Sequence, residues 1–234
     1  MKVTISRFNP EMDQEPYTQS YEVNDDLIMS DSMLLDVLKL IQEQDPTLAF
    51  RSSCQEGVCG SDGMNVNGKN QLSCITPVAQ LQQPIVIRPL PGLPIIRDLV
   101  IDMSLFYEQY QNVDPFLQTD KLDLEEEHLQ SPEDRAKLDG SYECILCGCC
   151  SASCPSFWWN PDKFAGPAAL LAAHRFVIDS RDIKHIDRIK ELDSPTKTFR
   201  CRHIQNCTAA CPKGLNPSRA IQELKSIMVK GSKQ

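Results

Sequence analysis

The chain opens on an alternation. In KVTISRF, Val3 and Ile5 alternate with polar neighbours, and Phe8 is expected to extend the apolar side of a strand. A shorter strand is expected at SYEV. The period then lengthens. DSMLLDVLKLIQEQ places Leu34, Leu35, Leu38 and Ile41 on one helical face, with Asp31 or Ser32 as N-cap and Asp45-Pro46 as the stop. Asn67-Gly68 reads as a turn between MNV and QLSC. PIVIRPL is a short β-branched strand, and PLPGLP reads as a stiff linker and domain boundary. Beyond it the pattern is helical. Candidate helices are Asp98 to Tyr110, GPAALLAAHRFVIDSRD with Pro167 near its start, and NPSRAIQELKSIMVKG. The last has Asn216 as N-cap, Pro217 at the first helical position and Gly231 as a stop. Residues 113 to 140 are acidic and weakly patterned. The expected class is α+β, with a mixed domain over 1–96 and a helical one over 97–234.

Composition narrows the function. The 234 residues leave room for two ordinary domains, and 41% are hydrophobic, enough for real cores. The net charge of −8 makes a basic nucleic-acid surface unexpected. MKVTISRF has neither the apolar run of a secretory signal nor the Arg- and Ser-rich character of a transit peptide. FAGPAALLAAHRFVI is too short for a bilayer and contains His174 and Arg175, so the chain is expected not to cross a membrane by itself. A reducing compartment is therefore expected. The 11 cysteines, an odd number, then point to metal sites rather than disulfides.

Their spacing says which sites. Cys144, Cys147, Cys150 and Cys154-Pro155 follow C-x2-C-x2-C-x3-C-P, in which three thiolates serve one cubane cluster and the fourth serves another. The pattern returns at Cys201, Cys207 and Cys211-Pro212, but Ile204 stands where the second thiol belongs. Crossing the fourth ligands gives Cys144, Cys147, Cys150 and Cys211 for a [4Fe–4S] cluster. It leaves Cys201, Cys207 and Cys154 for a [3Fe–4S] cluster, because Ile204 cannot hold a fourth iron. Zinc is the competing occupant of CxxC pairs, but the trailing Cys-Pro in both runs favours iron–sulfur. Cys149 is expected to be a small packed residue. Upstream, Cys54-x4-Cys59-x2-Asp62 followed by Cys74 matches the plant-type [2Fe–2S] spacing, with Asp62 in the third thiol's place. A carboxylate is a harder ligand than thiolate but binds iron. Gly57, Gly60 and Gly63 would let backbone amides approach the cluster sulfurs.

Such clusters pass single electrons. The chain shows no GxGxxG, Walker loop or Ser/His/Asp pattern. An electron wire is the natural reading, with a flavin in a partner to split electron pairs. A free-standing ferredoxin and a zinc-stabilised interaction module are the competing readings.

RSSCQEGVCGSDGMNVNGKNQLSC, IVIRPLPGLPIIRDLVIDM, YECILCGCCSASCPSFWWNPDKFAGPAALLAAHRF and NCTAACPKGLNPSRAI together resemble the iron–sulfur subunits of succinate dehydrogenase, respiratory complex II. The resemblance spans essentially the whole chain. It implies a β-grasp plant-type ferredoxin domain followed by an all-α bacterial-type ferredoxin domain. It implies a flavoprotein partner carrying FAD, two membrane-anchor subunits with haem b, and ubiquinone as the acceptor. It implies a peripheral place on the cytoplasmic face of a bacterial inner membrane. At the quinone end, it implies that Trp159 hydrogen-bonds a quinone carbonyl, with Pro155, Ser156, Ile204 and Arg202 close by and Trp158 packing. The family has His where this chain has Arg202, with His203 next. Arg202 can pair with propionates but cannot shuttle protons near neutral pH. The nearest alternative is a fumarate reductase subunit, which FWWN and Ile204 disfavour.

Overall fold

A computed structural model describes residues 1–120 and 127–231, so part of the acidic stretch expected at 113–140 lies outside the described residues. The elements of the first half are β1 (Lys2–Arg7), β2 (Tyr17–Glu22), α1 (Leu34–Gln44), β3 (Gly63–Val66), β4 (Lys69–Leu72), β5 (Ile85–Arg88), β6 (Ile95–Arg97) and β7 (Val100–Ile101). Five of these strands form one mixed sheet in the order β2-β1-β5-β3-β4. β1 pairs antiparallel with β2 and parallel with β5. β3 pairs antiparallel with both β4 and β5. Asn67 and Gly68 join β3 to β4 with φ of 49° and 85°, the left-handed conformation a two-residue hairpin demands.

One face of α1 covers the sheet. Leu34, Val37, Leu38 and Ile41 are fully buried with Val3, Ile5, Met64, Ile85 and Ile87. Each such side chain contributes about 1.5–3 kcal/mol of hydrophobic stabilisation. The cap differs from expectation. Asp31 and Ser32 are displaced by Met33, because Asp36 reaches back to accept the Met33 N–H at 2.9 Å. The Ser32 hydroxyl accepts the Met29 amide instead.

The alternation in β1 is completed by Arg7 rather than Phe8. Arg7 is only 5% exposed and donates to Asp98 at 3.0 Å, Asp45 at 2.6 Å and Thr47 at 2.7 Å, and also to Tyr21. Asp98 further accepts the amides of Phe8 and Ala49, each at 2.8 Å. That is why the expected helix from Asp98 begins only at Ser104. Asp98 is committed to the sheet, with φ of 47°, and β6 and β7 form a small hairpin around it. By packing, this compact unit comprises Met1–Met103 and also Ile145–Ser153, which holds α4 (Cys149–Ala152).

The other unit takes Ser104–Cys144 and the chain from Cys154 onward. It is helical: α2 (Ser104–Gln111), α3 (Pro132–Ala136), α5 (Pro155–Trp159), α6 (Gly166–Val177), α7 (His185–Leu192), α8 (Asn206–Ala209) and α9 (Pro217–Gly231). α6 is buried along nearly its whole length and packs on α2, α7 and α9. It stops at Val177, short of the expected span, because Asp179 and Asp182 bind nearby amides in turns. Asp182 also pairs with Arg188 at 2.9 Å in full burial. Arg188 satisfies the carbonyls of Val113, Asp114 and Phe116 as well. Asn216 caps α9 as expected, accepting the Arg219 amide at 2.9 Å. No described helix is long and apolar enough to cross a membrane.

Candidate metal centres

The loop from Cys54 to Asp62 curls because Gln55, Gly57 and Gly60 hold φ of 64°, 73° and 69°. Left-handed residues turn successive amides to one side, a concavity suited to anions. The amides of Val58 and Cys59 point at the Cys54 sulfur at 3.3 and 3.2 Å. The Gly57 amide faces the Cys74 sulfur. The Ser61 hydroxyl, 3.1 Å from the Cys59 sulfur, and the Ser61 amide draw that thiol down to about 7. Burial pushes the Cys74 thiol up to about 12, and the neighbouring Asp62 adds to the shift.

Asp62 lies beside Cys74 and is 2% exposed. Its Oδ2 accepts the Ser73 hydroxyl at 2.9 Å and the Cys74 amide at 2.6 Å. Its Oδ1 is buried with no hydrogen-bond partner among the described residues. An unpaired buried acceptor of this kind costs about 1–3 kcal/mol, and a bound cation is what would satisfy it. The donor set of three thiols and one half-satisfied carboxylate therefore fits a [2Fe–2S] group. Ser73 is a partner of Asp62 that its spacing alone does not announce; its only sequence signal is a small hydroxyl directly before Cys74.

The two downstream runs share one backbone. Leu146 and Gly148 flank Cys147 with φ of 54° and 79°, and His203 and Gln205 flank Ile204 with φ of 54° and 69°. Each run then enters a four-residue helix, Cys149–Ala152 or Asn206–Ala209. Ile204 thus stands in the conformational place of Cys147. Cys154, Cys201 and Cys207 line one pocket with Ile204. Burial raises the Cys207 thiol to about 11, and the nearby Cys154 and Cys201 add to the rise. Burial likewise raises Cys154, with Cys201 contributing. A positively charged group among the three sulfurs would relieve the opposition that Cys154 and Cys207 meet on ionising, which fits a cluster with three protein ligands.

Cys144 and Cys211 pack on one apolar cluster of Leu171, Leu215 and Ala220. Cys147 and Cys150 belong to the Ile145–Ser153 segment. Cys149 is fully buried, in keeping with a packing role. Among the described residues, no three His, Cys, Asp or Glu side chains converge on a point that would hold a single ion. Iron–sulfur clusters do not require that, since a [2Fe–2S] iron takes two protein ligands and a cubane iron one, the rest being sulfide.

Beside the thiol triad, α5 exposes an aromatic edge. Trp159 is 77% exposed and Trp158 39%, whereas Phe157 is fully buried. Pro155 opens α5, and the Ser156 hydroxyl donates to the Arg200 carbonyl at 3.0 Å. Arg202 is exposed and lines the same pocket as Ile204. His203 turns to α9, 3.4 Å from the Ser218 hydroxyl and 3.1 Å from the Lys225 amine. Burial and Lys225 hold its imidazole below the ordinary range.

Comparison with known proteins places both halves. Residues 2–108 match the family described as a 2Fe-2S iron-sulfur cluster binding domain. Residues 143–216 match a 4Fe-4S dicluster domain. A succinate dehydrogenase iron-sulfur subunit of Coxiella burnetii is 54% identical over 229 residues, covering 98% of this chain and 97% of that protein. The mitochondrial succinate dehydrogenase [ubiquinone] iron-sulfur subunit 3 of Arabidopsis thaliana is 50% identical over 227 residues, covering 95% of this chain and 73% of that protein. The solved Mycobacterium smegmatis Sdh1 complex in the apo form contains a chain of the same fold, with a TM-score of 0.87 at 24% identity, covering 100% of this chain and 97% of that one.

Proposed function

The chain belongs to the family of succinate dehydrogenase iron–sulfur subunits, and from that premise we propose how its residues divide the work of electron transfer. It is an electron-transfer subunit of an oxidoreductase and acts in a complex with other subunits. When bound, [2Fe–2S], [4Fe–4S] and [3Fe–4S] clusters supply one-electron steps between FAD in a flavoprotein subunit, where succinate becomes fumarate, and ubiquinone. The fumarate reductase alternative is not favoured by these relatives.

Cys54, Cys59, Asp62 and Cys74 hold the first cluster. The amides of Val58 and Cys59 stabilise negative charge on the Cys54 sulfur. Cys144, Cys147, Cys150 and Cys211 hold the second. Cys154, Cys201 and Cys207 hold the third, and Ile204 withholds a fourth ligand. The Trp159 indole N–H donates to a quinone carbonyl. Pro155 and Ser156 fix the start of the helix that carries it, and Arg202 supplies a permanent positive charge beside the pocket. Two membrane-anchor subunits with haem b cover the exposed aromatic edge, so the chain sits peripherally on the cytoplasmic face of the membrane. Residues 1–96 form the β-grasp domain for the [2Fe–2S] cluster, and 97–234 the helical ferredoxin domain for the [4Fe–4S] and [3Fe–4S] clusters.

The shared backbone of the two runs, with Ile204 where Cys147 stands, carries this reading. Ile204→Cys tests it by restoring the missing thiol. The variant complex is expected to gain iron and to lose the oxidised-state [3Fe–4S] EPR signal. An unchanged signal with unchanged iron content would refute the assignment.

A further inference from the structure

We infer that Gly60 and Gly63 are spacing residues that set how closely the chain around Cys147 approaches the loop of Cys59 and Asp62, and hence the electron-transfer gap between the first two clusters. The inference rests on the ligand sets proposed above. Gly60 directly follows Cys59, and Gly63 directly follows Asp62. Both face the same short segment. A Cβ on Gly60 would lie 2.8 Å from the Cys147 Cβ, 2.9 Å from its Cα and 3.0 Å from the Ile145 carbonyl oxygen. Two of these three obstacles are backbone atoms, which cannot swing aside. A Cβ on Gly63 would lie 3.1 Å from the Cys147 carbonyl oxygen, 3.3 Å from Leu90 and 3.5 Å from the Cys149 sulfur. The missing side chains thus bring a ligand-bearing loop of one cluster into backbone contact with a ligand residue of the next. Tunnelling falls exponentially with separation, so any added spacing slows transfer.

Asn70 holds the segment in this seat. It is 7% exposed, on the inward side of β4. Its amide nitrogen lies 3.3 Å from the Cys149 carbonyl and 2.8 Å from the Ser153 hydroxyl, and its oxygen accepts from Asn65 at 2.7 Å. The contact is specific to two of the loop's glycines. The three nearest contacts of a Cβ on Gly57 would all be on the Ile75 side chain, and one on Gly68 would meet nothing within 4 Å among the described residues.

The test uses the cluster-loaded complex carrying Gly60→Ala, Gly63→Ala, Asn70→Ala or Gly68→Ala. Gly68 shares the positive φ of Gly60, at +85° against +69°, so Gly68→Ala isolates backbone strain from spacing. Gly63 has no positive φ, so Gly63→Ala tests spacing without that strain. The readout is the magnetic splitting between the reduced [2Fe–2S] and [4Fe–4S] centres, which falls with the cube of their separation. Gly60→Ala and Gly63→Ala are expected to keep wild-type iron content and show weakened splitting, with Gly68→Ala unchanged. Asn70→Ala is expected to raise amide hydrogen exchange across residues 145–153. Wild-type splitting in both spacing variants, equal loss in Gly68→Ala, or unchanged exchange in Asn70→Ala would overturn the inference. Absence of either cluster signal from the wild type would instead overturn the ligand reading, and this inference with it.

Discussion

Asp98→Ala removes the anchor that keeps the chain beyond β5 on the sheet. Asp98 is 2% exposed and uses both oxygens: one accepts Arg7 Nε at 3.0 Å and the Phe8 amide at 2.8 Å, the other the Ala49 amide at 2.8 Å. Truncation leaves two amides unpaired and strips Arg7 of one of its two carboxylates. Breaking a buried pair from one side costs about 3–5 kcal/mol, because the remaining charge stays buried. Each orphaned donor costs about 1–3 kcal/mol where water cannot reach it. Asp45 still holds Arg7 and water can enter part of the site, so the net loss is taken as about 4 kcal/mol, a large share of a typical stability of about 5–15. With a urea slope of about 2 kcal/mol per M, the unfolding midpoint should fall by about 2 M. The assay is urea unfolding of the cluster-loaded protein, followed by far-UV circular dichroism and by visible cluster absorbance. Ala49 lies five residues before Cys54, so the cluster signal should be lost no later than the fold. The double variant Arg7→Met with Asp98→Leu should be less damaging than the two single losses added, with a coupling of about 0.5–3 kcal/mol. A midpoint shift below about 0.5 M in Asp98→Ala, or strict additivity in the cycle, would refute the argument.

Other outcomes follow from single sites. Asp62→Ala should lose the [2Fe–2S] EPR signal and leave the other two, whereas Asp62→Cys should keep all three with the first potential shifted; redox titration reads both. His174 is 4% exposed, and burial holds its imidazole below the ordinary range against the pull of Glu223 at 2.8 Å, with Ser141 on its other nitrogen and Arg219 nearby. The unfolded chain therefore protonates His174 first, so stability should be full above pH of about 6.5 and fall as pH drops through that value. Burial pushes Glu223 up, but hydrogen bonds from Arg219 and His174 prevail and hold it below the ordinary carboxylate range, so its protonation adds to the loss at lower pH. Thermal melts from pH 7.5 to 5 should show this fall, with a flatter profile in His174→Gln. Trp159→Leu should slow quinone reduction by at least about tenfold, the worth of one hydrogen bond of about 1.4 kcal/mol. Trp158→Leu should leave the quinone KM unchanged.

Much of this was legible because cluster ligation is local in sequence. The spacing from Cys144 to Cys154, and its return with Ile204, marks candidate ligands from a short-range pattern. The amphipathic face of α1 and the Asn216-Pro217 start of α9 were equally plain, since period and capping are short-range. What escaped depended on distant partners. Arg7 reads as a surface residue until Asp98, 91 positions on, supplies its counter-charge. Asp98 reads as a helix start for the same reason. Asn70 gives a weaker signal: a polar residue at an inward strand position means something buried needs its hydrogen bonds. Gly60 and Gly63 read as freeing the amides of their own loop, but their contact with Cys147 joins positions more than 80 residues apart.

The central claim is that three distinct iron–sulfur clusters sit on this chain, the last with one ligand fewer than the second. Low-temperature EPR of the anaerobically purified complex, first oxidised and then reduced stepwise, tests it most directly. A [3Fe–4S] signal is expected in the oxidised sample, a [2Fe–2S] signal on first reduction and a [4Fe–4S] signal at the lowest potential. An oxidised sample that is silent despite full iron loading would contradict the reading of Ile204, and zinc in place of iron would contradict the account as a whole.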